Sequence, residues 1–450
     1  MSNQPVEKRV VLVLFHNDLR VHDNATLTMA TQLASESSDA RLLLVYAAFL
    51  ADTLNQKNWG QSYHFEEMGQ ARTRFLEESL SDLDESLQSL GNKLLYLKGT
   101  DSTDTLSSAV QLCQLIDEQG VTDICVSQTA DYAQNLAYET LQNKYPQISW
   151  HSQSTATLFA TMPTKELPNS FTQFRKKVEY SHNLLNAQKG VDISPMPKRL
   201  PPIPESLAQN TECFFAAQAS DERAQLEPRF KGGETQALAH LERYFDSRAP
   251  SIYKSTRNAL DTWSHTTKFS PWLANGSLSV QTLLNRLRCY ERQVIANDST
   301  YWIWFELLWR EYFYWYAMTH QKDLFLFKGI STQPPSTGYD KQRLEQWQNG
   351  ATPYPIVNAC MRQLNNTGYM SNRGRQLVAS AFINELELDW RYGATYFEQQ
   401  LIDYDVASNW GNWQYLAGVG ADPRGCRQFN LKKQTQQHDP DGDFRDKWLV

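Results

Sequence analysis

Short apolar runs recur through the first third of the chain, and polar stretches of helical period separate them. RVVLVLF (9–15) is brief and rich in β-branched residues, and RLLLVYAAF (41–49), KLLYLKG (93–99) and DICVSQ (123–128) are similarly short apolar runs. That pattern predicts buried strands. Residues 65–90 predict one of the intervening helices. Strands alternating with helices imply a parallel, doubly wound sheet over about the first 140 residues. Residues 151–205 lose the rhythm and end in DISPMPKRLPPIPE, which predicts a long surface connector. From about Gly232 the period is helical to roughly residue 400. The expected fold is therefore an α/β N-terminal doubly wound parallel-sheet domain (1–140), an inter-domain connector (141–205) and an all-helical C-terminal domain (206–450). There is no internal repeat and no apolar run long enough to span a membrane. The N-terminal run has no small-residue cleavage site and reads as a first strand instead of a signal peptide.

Several segments break the pattern with chemistry. LFHNDLRVHDN (14–24) follows the first strand but has no dinucleotide fingerprint and no P-loop. Arg20, Asp23 and Asn24 either satisfy a strand-end turn or edge a ligand crevice at the carboxyl end of the sheet. Ser270 before Pro271 predicts a helix start with Ser270 as its cap. The preceding Thr266, Thr267, Lys268 and Phe269 either serve the cap alone or complete a phosphate cradle. YWIWFELLWREYFYWYA (301–317) is apolar on nearly every face, yet it carries Glu306 and Arg310 at i,i+4. They form either an ion pair or a site in which Glu306, its pKa raised by burial, faces a polar ligand. Asn372, Arg373 and Arg375 open another helix, where the dipole disfavours cations. The nearby acids are Asp403 and Asp405 in DYDVASNWGNWQY (403–415), a stretch that combines carboxylates with more aromatic area than a loop needs. An Arg–Asp pair beside a ring system would make a cofactor clamp. QFNLKKQTQQHDPDGDF (428–444), with Arg424 and Arg427 before it, is either a solvated basic surface or a phosphate contact.

Composition narrows the classes. At 41% hydrophobic, 21% charged and a net charge of −7, the chain is an ordinary soluble protein without a general coat of basic charge, although a local basic groove is compatible with this. Its six cysteines are scattered without a CxxC pair, so no metal site is expected and a reducing cytoplasm is. Eleven of the 13 tryptophans lie between residues 263 and 448. They stock either a helical core or surfaces that stack on a flat cofactor or on bases.

In their order and spacing, FTQFRKKVE (171–179), YKSTRN (253–258), TGYMSNRGRQ (367–376) and DYDVASNWGNW (403–413) resemble the photolyase/cryptochrome flavoprotein family, and within it the DASH-type cryptochromes. The resemblance runs from residue 14 to the last residues. It implies an antenna-binding α/β domain and a helical domain that holds FAD folded into a U. By position, Tyr253 and residues Thr266, Thr267, Lys268, Phe269 and Ser270 would hold the FAD phosphates. Arg375 and Asp403 would form a buried pair beside the isoalloxazine, Asp405 would contact the ribose and adenine side, and Asn409 would face flavin N5. Asn372 and Tyr404 fall among the flavin-holding positions. Trp413 and Trp390 match the inner members of a tryptophan relay. Glu306 matches the carboxylate that hydrogen-bonds a pyrimidine dimer, and Trp309 matches the ring beside it. Arg257, Arg310, Arg373, Gln376, Tyr415, Arg427 and Gln434 match DNA-contacting positions.

The implied activity is blue-light-driven repair of cyclobutane pyrimidine dimers by electron transfer from reduced FAD. Tyr415 and Gln376 stand where duplex-active photolyases place a tryptophan and a methionine, which implies a preference for single-stranded DNA. Ser371 and Asn372 replace the histidine pair of a 6-4 photolyase. DYAQNLAYE (131–139) lacks the paired glutamates of the DASH pocket for a folate antenna (methenyltetrahydrofolate), and His16 replaces a usual arginine. No tryptophan stands where the outer relay member falls, so Tyr339 or Tyr354 are its candidates. A monomeric cytoplasmic enzyme is expected. The alternative is a photoreceptor with a regulatory role, which the intact Glu306–Trp309 pocket disfavours.

Overall fold

The computed structural model describes residues 9–37, 39–48, 50, 68–98, 107–182, 193–208, 230–421, 425 and 427–449. Strands β1 (Val10–Phe15), β2 (Arg41–Ala47), β3 (Leu94–Leu97) and β4 (Asp123–Ser127) occupy the four apolar runs. The fifth strand, β5 (Ser149–Gln153), departs from the sequence expectation. Its sequence SWHSQ is polar because it is an edge strand, paired to β4 alone with Ile124 opposite Trp150. Residues 141–153, expected in the connector, instead finish the helix Tyr132–Lys144 and the sheet.

The strand order is β3-β2-β1-β4-β5, with every pair parallel. Parallel neighbours need crossovers, and the helices Ala25–Ser35, Gln70–Ser89, Ser108–Gln119 and Tyr132–Lys144 accompany the strands. Apolar clusters cover both faces of the central strand β1, which explains why its run does not alternate.

The segment after β1 fastens the sheet to the rest of the molecule. Arg20 is 2% exposed and donates to the carbonyls of Asp23, Thr155 and Gly276, each at 2.8 Å. Asn24 caps the helix Ala25–Ser35 by accepting from Leu27 N at 3.0 Å. The Asp23 carboxylate accepts from Ser194 N at 2.7 Å and from the Ser279 hydroxyl. Of the two readings of these three side chains, the structural one holds, and it extends well beyond the local turn.

Beyond the connector the chain is helical. Its central element is the helix Asp298–His320, started by a capping box between Asn297 and Thr300. One side buries Trp304, Leu308, Tyr312 and Tyr316, while residues 301, 302, 305, 306, 309 and 310 are only partly buried. Of the two readings of Glu306 and Arg310, the i,i+4 ion pair does not form. Arg310 instead donates to the carbonyls of Ala156 at 2.5 Å and Leu273 at 3.1 Å, and Glu306 pairs with Arg257 from the helix Ala249–Thr256. Backbone acceptors fixed by the fold outcompete a neighbouring carboxylate that has a better partner across the groove.

The Ser270 cap is also corrected. The helix Ser270–Ala274 begins at Ser270 itself, Phe269 holds the cap position, and no side chain caps it. The Phe269 ring, 2% exposed, lies edge-on to His240 (5.1 Å) and Tyr244 (5.3 Å). Ring packing therefore sets the backbone there.

Candidate active site

Side chains from 253–283, 303–313, 369–379 and 397–416 line one cavity of about 410 Å³. That volume lies within the range of ligand and cofactor sites. The helix Asn372–Asn384, capped by Ser371 on Gly374 N at 3.1 Å, brings Arg375 to its wall. Arg375 Nη2 donates to both oxygens of Asp403, at 2.9 and 2.7 Å, and its Nε donates to Met370 O at 2.8 Å. The Asp403 side chain is 2% exposed, so this is a buried carboxylate held by a partly exposed guanidinium. Asp405 has a different task. It caps the helix Val406–Ala417 by accepting from Ser408 N at 2.7 Å while still lining the cavity.

One turn into that helix, Asn409 donates its amide nitrogen to Ala394 O at 2.9 Å, which leaves Oδ1 as the end available to a ligand. Trp413 follows, 2% exposed, edge-on to Phe397 at 5.2 Å and Phe382 at 5.6 Å. Tyr404 also lines the cavity, its ring under the Arg72 guanidinium at 4.5 Å. Trp390 lies behind the lining. It is fully buried, donates to Phe327 O at 3.0 Å and meets Trp410 edge-on at 5.8 Å. Tyr339 is 58% exposed, and its ring lies 4.9 Å from that of Tyr392 in the same helix as Trp390.

The 266–270 segment splits. Thr267, Phe269 and Ser270 line the cavity, whereas Lys268 and Thr266 are not among its lining residues. Lys268 adopts φ +55°, donates to Thr266 Oγ1 at 2.5 Å and lies 5.3 Å over the Tyr369 ring. The neighbouring His240 contacts Thr267 O at 2.9 Å, and burial pushes its pKa down to about 4, so a neutral imidazole steadies the segment.

At the other end of the cavity stands Glu306. Burial pushes its carboxyl above its ordinary value, while the paired Arg257 pulls in the opposite direction. Trp309 is clamped by Phe171, stacked at 3.7 Å and 14°. Tyr415 faces Trp309 edge-on at 6.1 Å and carries the Arg427 guanidinium 4.6 Å over its ring. Gln376 and Arg373 line the same end. Arg373 reaches Asn258 Oδ1 at 3.1 Å and Gln434 Oε1 at 3.4 Å, and burial followed by the neighbouring Arg257 lowers its pKa. Asn372 is exposed at the cavity wall, and Arg424 lies outside the described residues.

Sequence reasoning missed Phe171, Asn258 and Phe397. Phe171 and Asn258 lie within quoted motifs, but no local spacing marks their partners Trp309 and Arg373 more than a hundred residues away, and nothing in the sequence marks Phe397 as a neighbour of Trp413. Among the described residues no cluster of His, Cys, Asp and Glu could hold a metal ion, and no helix is long and apolar enough to cross a membrane.

The donor set fits FAD. Hydroxyls and an Arg–Asp pair suit its polar ends, the rings of Phe397 and Trp413 suit a flat heterocycle, and Asn409 offers an acceptor beside it. The comparisons agree. A model of the FAD binding domain of DNA photolyase matches residues 302–450, and a DNA photolyase model matches residues 11–199. The chain is 48% identical to the Cryptochrome DASH of Idiomarina loihiensis, over 98% of this chain and 92% of that one. It is 47% identical to the Cryptochrome DASH of Vibrio parahaemolyticus, over 98% and 94%. A solved cryptochrome from Synechocystis superposes with a TM-score of 0.81 at 36% identity, covering 100% of this chain and 89% of that one. A class III photolyase from Agrobacterium tumefaciens superposes at 0.77 and 27%, covering 99% and 88%.

Proposed function

Because the chain belongs to the photolyase/cryptochrome family, in its DASH branch, we propose that it is a light-driven lyase that repairs cyclobutane pyrimidine dimers, preferentially in single-stranded DNA. One observation carries this reading. The Arg375–Asp403–Asn409 group and the Glu306–Trp309–Tyr415 group line the same cavity, so a flavin and an extruded pyrimidine dimer would share one space.

FAD, when bound in its reduced form, supplies the light-excited electron that splits the dimer. The chain supplies the rest. Arg375 and Asp403 would hold the flavin side of the cofactor, and Asn409 Oδ1 would be free to accept a hydrogen bond from it. Arg257 occupies Glu306 Oε1, which leaves Oε2 to bond a pyrimidine carbonyl. The burial that raises the Glu306 pKa makes a proton at Oε2 easier to hold there. Trp309, fixed by Phe171, gives the dimer a rigid wall. Arg257 and Arg373 in the lining and Arg427 over Tyr415 supply local positive charge, against the chain's net −7.

The strand preference follows from the cost of extrusion. Flipping a base out of a duplex costs a few kcal/mol. A tyrosine at 415, already covered by Arg427, and a polar Gln376 repay less of it than an indole and a thioether would. A shortfall of about 2.7 kcal/mol is a hundredfold in affinity. The test is light-dependent repair of one dimer-containing oligonucleotide, alone and annealed to its complement. Much greater repair of the single strand is expected. Equal repair points to a duplex photolyase, and no repair of either with FAD bound and reduced points to a photoreceptor.

A further inference from the structure

The helix Phe171–His182 has a second face that the site does not use. Phe171, Phe174 and Val178 are buried, and Arg175 and Glu179 sit at the boundary. Arg175 donates to the Tyr301 hydroxyl at 2.8 Å, and that hydroxyl donates to Glu179 at 2.8 Å. The opposite stripe, Gln173, Lys176, Lys177 and Tyr180, is exposed, and Tyr180 at 90% is the most open large apolar side chain among the described residues. Scattered exposed rings need no explanation. This one is placed otherwise, because it shares its face with two lysines on a chain of net charge −7.

The helix adjoins the cavity. Phe171 stacks on the lining residue Trp309, and Arg175 lies 5.5 Å over the lining residue Phe305. From Phe305 the rings continue outward, since Trp302 stacks on it at 4.6 Å with Lys254 and Arg257 over the indole at 4.9 and 5.3 Å. Rings and cations thus extend outward from the cavity wall beside the helix Phe171–His182. At 1.5 Å per residue, Tyr180 lies about 13 Å along the helix from Phe171, a span of roughly two to four nucleotides.

We propose that this face binds the single-stranded DNA flanking the lesion, with Tyr180 stacking on an unpaired base and Lys176 and Lys177 meeting backbone phosphates. Cations that track a backbone beside an aromatic platform are the chemistry of single-strand recognition. Bases already stacked in a duplex cannot use the platform, so the face adds to strand preference. The inference deepens the repair reading and rests on it for the position of the lesion.

Binding of a fluorescent 13-nucleotide single strand with a central dimer, and of the dinucleotide dimer alone, tests it on the FAD-loaded full chain. Tyr180→Ala should weaken binding of the long strand at least about fivefold, as loss of one stacked base does. K176Q/K177Q should lower the salt slope of log Kd by about 1.4. Cleavage of the dinucleotide dimer should be unchanged in both variants. Equal losses on both substrates, or no loss on the long strand, overturn the proposal. A wild type that binds the long strand but repairs neither substrate overturns the repair reading instead, and the binding arms still decide the role of this face.

Discussion

Two acids on this chain show how far a residue's surroundings outweigh its type. Glu311 is 1% exposed, accepting from Leu158 N and Trp315 Nε1 at 2.7 Å each, and burial pushes its pKa up to about 7. A carboxyl raised on folding contributes stability that is complete below its unfolded value near 4.5 and is lost as pH rises through 7. A displacement of that size corresponds to about 3 kcal/mol. The melting temperature of the wild type should therefore fall relative to Glu311→Gln between pH 5 and pH 8, and parallel pH profiles would refute the assignment. Asp403, also buried, is matched by Arg375. Removing one partner of a buried pair costs roughly 3 kcal/mol or more. We expect Asp403→Ala to purify with little FAD, read as absorbance near 450 nm per protein, whereas Asp403→Glu should retain part of it. A fully yellow, stable alanine variant would show that the pair does not hold the cofactor.

Helices position the site by close approach as much as by side-chain contact. A Cβ at Gly393 would come within 2.3 Å of Trp413 Cη2, and one at Gly411 within 2.4 Å of Phe313 Cδ1. The helices Trp390–Gln400 and Val406–Ala417 therefore meet where the smallest residue lets an indole lie flat. Alanine normally favours a helix over glycine by up to about 1 kcal/mol. At Gly393 the overpacking should reverse that sign and cost about 1–3 kcal/mol. Trp413 also lines the cavity, so Gly393→Ala should lose thermal stability and FAD content together. A more stable, fully loaded variant would mean that the ring has another way to move.

At the scale of the molecule, residues 20–23 clamp distant parts together. Arg20 binds Thr155 in the connector and Gly276 in the helical region, Asp23 binds Ser279, and Glu234 accepts from Val21 N and His22 N at 2.8 and 3.0 Å. A buried carbonyl left without its donor costs about 1–3 kcal/mol. Arg20→Met, similar in length but without donors, should lower the melting temperature by at least several degrees and separate the unfolding of the sheet from loss of FAD fluorescence quenching. One coincident transition at the wild-type temperature would show that the clamp is dispensable.

The sequence by itself determined the element types, because the periods of buried positions are local: four strands follow from runs of six to nine residues and a helical second half from longer periodic stretches. It also carried the family through ordered motifs, and with it the pairing of Arg375 with Asp403 and the cavity residues from Tyr253 to Tyr415. The tertiary structure alone decided partnership. β5 is polar because its neighbour supplies the pairing, Arg310 is taken by carbonyls of Ala156 and Leu273, Glu306 finds Arg257, and Lys268 turns away from the cavity. A charged group goes to the best acceptor within reach once the chain has folded, and reach in space is not written in spacing along the chain.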